Sequence, residues 1–236
     1  MQELIVITIT AASIGLFHTL LGPDHYLPFI VMTRARKWSL VKTTFITVLC
    51  GVGHVLSSII LGIIGIALGI SINKLGAIES FRGGIAAWLL IAFGVGYLIW
   101  GLFRARRNRP HVHWHAHEDM SMQIHKHIHS KVDLHVHKGE GVKNLTPWIL
   151  FTIFVFGPCE ALIPLMMYPA AKSNIFGLVL AVGVFGLVTI MTMLGIVILL
   201  SFGTNLLPMG RLERYTHALA GATICICGIA IKFLGL

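Results

Sequence analysis

A chain of 236 residues that is 56% hydrophobic and only 11% charged, with a mean hydropathy of +0.85, has too little charge to cover a soluble globule. Its formal net charge of +9 would point a soluble protein toward nucleic acid. Here the basic residues gather in loops flanking apolar runs, which reads as membrane topology and leaves lipid, not nucleic acid, as the expected partner.

A spanning helix needs about 20 apolar residues, and cutting the chain at its charges yields six candidates. The first, 4–32, is broken at Gly22-Pro23. Its start lacks the basic segment and small-residue cleavage site of a signal peptide, so it reads as a retained span. Spans two and three cover 43–70 and 84–103, with Glu79 and Arg82 assigned to the loop between them. After the polar segment 104–145 come span four, 146–170, broken at Gly157-Pro158, then span five, 174–200, and span six, 215–233. Gly65-Ile66-Ala67-Leu68-Gly69 has the small-residue spacing that lets membrane helices approach closely.

Lys and Arg divide unevenly between alternate loops. Fourteen lie in the loops after spans one, three and five, against Lys74, Arg82, Lys172 and Lys232 on the other side. The rich side is cytoplasmic, so both termini are expected outside, in a multi-pass protein of the cell (inner) membrane. Three spans per half is an odd number, and the Gly-Pro break recurs in the first span of each half. The expected fold is therefore an all-α polytopic membrane protein with six transmembrane helices, built as two inverted three-helix repeats, 1–103 and 146–236, joined by the loop 104–145.

The chemistry concentrates at the breaks. Of nine acidic residues, seven fall at the terminus or in loops by this division, leaving Asp24 and Glu160, one beside each break. An ionisable group in hydrocarbon costs roughly 2.5–3.5 kcal/mol, so it persists where it faces a wet cavity or a partner. His18 lies seven residues before His25, about 10 Å apart on a continuous helix. Pro23 breaks that helix and lets Asp24 and His25 fold back toward His18. His54 puts a third imidazole in span two, with Ser57 and Ser58 expected to bond backbone carbonyls, and Cys159 adds a thiol at the second break. Imidazole, carboxylate and thiol together favour nickel, cobalt, zinc or copper over magnesium or calcium. Cys50, Cys225, Cys227 and His217 read as packing or interfacial residues.

The segment 104–145 carries nine of the thirteen histidines, largely as His-x-His, from His111 to His137. That composition binds metal in shifting sets, and it lacks the apolar content for a core of its own. A cytoplasmic metal donor or acceptor is the partner it implies.

Gly15-Leu16-Phe17-His18, Gly22-Pro23-Asp24-His25 and Gly53-His54-Val55-Leu56-Ser57 resemble the nickel/cobalt transporter superfamily. Gly157-Pro158-Cys159-Glu160-Ala161-Leu162-Ile163-Pro164 resembles its six-span branch of urease-accessory, sulfite-exporter-like proteins. Five residues separate His18 from Asp24, where the superfamily has four. The resemblance implies a metal site at His18, Asp24, His25 and His54, to which the repeat adds Cys159 and Glu160. The expectation is a transporter, not an enzyme, with no permanently bound cofactor and a transition-metal ion as cargo. The rival readings are an exporter of a sulfur oxyanion such as sulfite or thiosulfate, and a thiol-redox carrier, which would want a cysteine where Asp24 stands.

Overall fold

The computed structural model describes residues 2–107, 113–116, 122–125, 145–206 and 210–234. Nearly all of these are helical. The first span is α1 (Gln2–Leu21), a 3-10 turn (Pro23–His25) and α2 (Leu27–Arg36), followed by α3 (Leu40–Ala67) and α4 (Ile72–Arg107). The stretch expected as the fourth span is α5 (Thr146–Phe156) and α6 (Leu162–Ala171), two shorter apolar helices, followed by α7 (Ile175–Leu206), a second 3-10 segment (Gly210–Tyr215) and α8 (Thr216–Leu234). Helices α1, α3, α4, α7 and α8 are each long and apolar enough to cross a membrane, which makes this a multi-pass, all-α membrane protein. Large apolar side chains such as Val41, Phe45, Leu187, Leu199 and Phe233 stand exposed on the outside of the bundle. Water would penalise that surface, whereas lipid covers it.

Both expected breaks are present, because Gly22-Pro23 and Gly157-Pro158 each combine a missing N–H donor with a flexible neighbour. The third span differs from expectation. Helix α4 starts at Ile72, so Glu79 and Arg82 are not loop charges but lie inside it. They stand one turn apart and pair at 2.7 Å, with Glu79 fully buried. Mutual neutralisation removes the cost that made charge look like a loop signal. Asp24 and Glu160 are thus not the only carboxylates within the spans. Of the histidine-rich segment, His113–Ala116 and Met122–His125 form an antiparallel strand pair with His113 opposite His125 and His115 opposite Gln123; His111, His117, His127, His129, His135 and His137 lie outside the described residues.

Helix packing crosses between the halves. Helix α1 lies along α7 and α5 along α3, while α2 touches α7 and α6 touches α3. Helices α3 and α7 face each other, as do α4 and α8. The last pair approaches backbone to backbone, with Gly94 and Gly101 against the main chain of Cys225 and Ala218, and Gly221 against that of Leu98. One apolar cluster, including Phe29, Ile46, Leu150, Phe154, Met193 and Ile224, fills the bundle toward the end where α4 closes and α5 opens. A smaller one, including Ile7, Leu162, Met166 and Phe185, fills the opposite end. The two halves share these cores.

Candidate metal centre

The first break is built to bring imidazoles together. Helix α1 stops with the Gly22 N–H donating to the His18 carbonyl at 3.1 Å, and Gly22 turns extended (φ −89°, ψ 93°) into the 3-10 turn. The His25 N–H then donates to the Gly22 carbonyl at 3.1 Å, and the turn swings the His25 ring back over the break. A Cβ at position 22 would fall 2.6 Å from His25 Nδ1, so glycine is what lets the ring lie there. The His18 and His25 ring centroids come within 4.8 Å, where a continuous helix would hold them about 10 Å apart. His54 enters from the middle of α3, 5.1 Å from His25 and 6.4 Å from His18 between centroids. One ligand nitrogen from each of the three lies within 4.8 Å of the others.

Hydrogen bonds fix which nitrogen faces inward. His25 Nδ1 meets the Gly22 carbonyl at 3.2 Å and Asp24 Oδ1 at 3.1 Å. His54 Nδ1 meets the Phe154 carbonyl at 3.3 Å. A carbonyl and a carboxylate only accept, so both Nδ1 atoms carry the proton. In the neutral rings the Nε2 atoms of His25 and His54 are then bare lone pairs, buried and without a hydrogen-bond partner among the described residues. Orienting imidazoles through the far nitrogen is the usual outer arrangement of a metal-binding histidine. Asp24 therefore acts on His25 from that outer side.

The second break contributes differently. Helix α5 ends as the Gly157 N–H turns to the Phe154 carbonyl at 3.0 Å, so this carbonyl holds both the turn and His54. A Cβ at Gly157 would come 3.1 Å from His54 Nδ1, and Pro158 packs against Gly83 of α4. Cys159 is fully buried with Sγ 3.8 Å from His18 Nε2, joining the edge of the imidazole group. Glu160 is exposed and stands apart from it. It lines a partly open cavity of about 920 Å³ that also reaches His18, Asp24, His25, Pro158 and Lys232. The cavity's α4 wall is Ser80, Gly83, Gly84 and Ala87, and its α8 wall is Ile231 and Lys232. It therefore approaches the centre from the end of the bundle where α4 begins.

One group was missed by sequence reasoning. Arg82 Nη1 donates to Glu79 Oε1, and Nη2 donates to Ser57 Oγ at 2.8 Å, the Val155 carbonyl at 2.9 Å and the Gly157 carbonyl at 3.4 Å. The legible signal was opposite charge at i and i+3 in a Pro-free stretch. Cys50 and Cys227 are buried in the larger apolar cluster and are not part of the imidazole group. His217 bonds the Tyr97 hydroxyl at 2.8 Å beside Trp100. No family model matches the chain, and no curated protein or solved structure gives a significant match.

Proposed function

We propose that the protein is a membrane transporter of a divalent transition-metal ion, of the nickel or cobalt class with zinc also accommodated, working by alternating access at His18, His25 and His54. The observation that carries this is the pair of buried, unpartnered Nε2 atoms on His25 and His54, each turned inward by a proton fixed on Nδ1. A buried polar atom without a partner costs free energy, and a metal ion that accepts these lone pairs removes the cost. Bound tetrahedrally at about 2.1 Å, an ion holds its ligand atoms about 3.4 Å apart. The three nitrogens, within 4.8 Å of one another, need only a small closure to reach that spacing. Cys159 is the neighbouring soft donor, and Asp24 and Glu160 supply negative charge along the approach.

The likeness to the nickel/cobalt transporter superfamily and its six-span branch enters as part of this reading. So does the inverted repeat. Exchanging 1–103 for 146–236 turns the contact of α1 with α7 into that of α5 with α3, and the contact of α2 with α7 into that of α6 with α3. A pseudo-two-fold axis in the membrane plane has this effect. With the basic loops and the histidine-rich segment cytoplasmic, the cavity is the outward vestibule and the larger apolar cluster is the inner seal. Sulfur-oxyanion export is less well supported, because the guanidinium of Arg82 is already engaged by Glu79 and two carbonyls. A thiol-redox carrier would want a partner cysteine at the first break, and Asp24 stands there.

Flux into proteoliposomes tests the reading. Wild-type protein is expected to carry nickel, cobalt or zinc, and His25→Ala and His54→Ala to reduce flux to the protein-free level. Metal flux that both variants leave unchanged would remove the site. Sulfite or thiosulfate flux surviving them would favour the anion reading.

A further inference from the structure

We propose that Arg82 is the positioning residue of the centre, fixing the tautomer and direction of His54 by clamping both ends of that imidazole's support. His54 is held at two points. Its ring donates from Nδ1 to the Phe154 carbonyl, and its own main-chain carbonyl accepts from Ser57 Oγ at 2.8 Å. Arg82 holds the groups behind both. Its Nη2 donates to Ser57 Oγ on the α3 side, and to the carbonyls of Val155 and Gly157, which follow Phe154 at the end of α5. No other described side chain donates to the Val155 or Gly157 carbonyl. The break at Gly157 frees these acceptors from helix pairing, and a guanidinium is the side chain whose planar fork serves several of them together.

Glu79 keeps that guanidinium in place. Its Oε1 pairs with Nη1 at 2.7 Å and the carboxyl is fully buried. The pair is not itself among the imidazoles, and the Arg82 hydrogen bonds lead from it to the groups that support His54. The alternative is that the two charges merely neutralise each other inside the bundle. These roles separate, because neutralisation survives removal of both charges and clamping does not.

The test uses the full-length protein in detergent or nanodiscs, with Glu79→Gln/Arg82→Gln as the central variant, since it leaves no unpaired buried charge. The first readout needs no metal. Histidine ¹⁵N resonances, with His54 assigned by its loss in His54→Asn, are expected to show a pure Nδ1–H tautomer in the wild type and a mixed or shifted one in the double variant. The second readout is cobalt affinity, expected to weaken about 10- to 100-fold, the usual scale for disturbing a ligand's outer partner. Arg82→Lys restores charge without the fork and is expected to recover little of either. A folded double variant with wild-type His54 resonances and wild-type cobalt affinity would overturn the clamp, as would full recovery by Arg82→Lys. The affinity arm rests on the reading of the three histidines as a metal site, whereas the tautomer arm does not. A wild type that binds no cobalt while His54 still shifts on loss of Arg82 would sink the transporter reading and keep the clamp.

Discussion

The two breaks have nearly the same letters, Gly-Pro followed by an acid within two residues, and do different work. At the first, the chain turns through a 3-10 segment that folds an imidazole back toward the helix it left, with Asp24 on that ring's far nitrogen. At the second, α5 simply ends, and what it offers are the carbonyls of Phe154, Val155 and Gly157, which receive His54 and Arg82. One break delivers imidazole and the other holds an imidazole that comes from elsewhere. The same Gly-Pro letters need not carry the same chemistry: an unsatisfied backbone can be closed by its own side chain or by a neighbour's.

The widest separation between the breaks should come from the ligands themselves. His25→Ala removes an imidazole delivered by the first break, and cobalt affinity measured by titration calorimetry is expected to fall more than about 100-fold, beyond the range of outer-partner changes. A loss within that range would demote His25 to a supporting role. Next come the two glycines. Gly22→Ala places a methyl 2.6 Å from His25 Nδ1 and Gly157→Ala places one 3.1 Å from His54 Nδ1. Both should weaken cobalt binding, Gly22→Ala the more, because the closer contact forces the ring itself to move. The reverse order would mean that the second break, not the first, sets the geometry.

How much of this was readable beforehand follows from the range over which each interaction acts. The breaks were legible because Gly-Pro acts on its own backbone, and the return of His25 toward His18 followed from the break and a spacing of seven. The tautomer of His54 was not, since its acceptor is a carbonyl one hundred residues away, and every residue has a carbonyl. Glu79 and Arg82 were misplaced by a rule that treats each charge singly, when two charges one helical turn apart can enter a membrane together. The helix-packing signal was legible only in part: Gly65 does sit against Leu75 of α4, while Gly69 meets nothing within 4 Å. Gly65-x3-Gly69 has the familiar spacing, yet the backbone contact of α4 with α8 uses Gly94, Gly101 and Gly221, partners separated by more than a hundred residues of chain.

Asp24→Asn gives a smaller effect than either glycine. The amide still accepts from His25 Nδ1, so the tautomer persists while the negative charge behind it is lost, and an affinity drop of about 10-fold is expected, at the low end of the outer-partner range. A drop equal to that of His25→Ala would make Asp24 a direct ligand and the first break richer than argued.

The smallest effect belongs to Glu160, and it bears most directly on the comparison. Its carboxylate is exposed in the cavity, apart from the imidazole group, and Lys232 lines the same cavity. A charge so placed raises the local concentration of cations without touching the bound ion, and that influence fades with salt. Glu160→Gln should therefore slow metal uptake by about 2- to 3-fold at low ionic strength and leave it almost unchanged near 0.5 M salt, where the screening length shrinks to about 4 Å. Equilibrium cobalt affinity should barely move. If Glu160→Gln instead abolishes binding at every salt concentration, the acid reaches the ion in a conformation other than this one. The second break would then deliver a ligand as the first does, and the two breaks would be alike in chemistry as well as in their Gly-Pro letters.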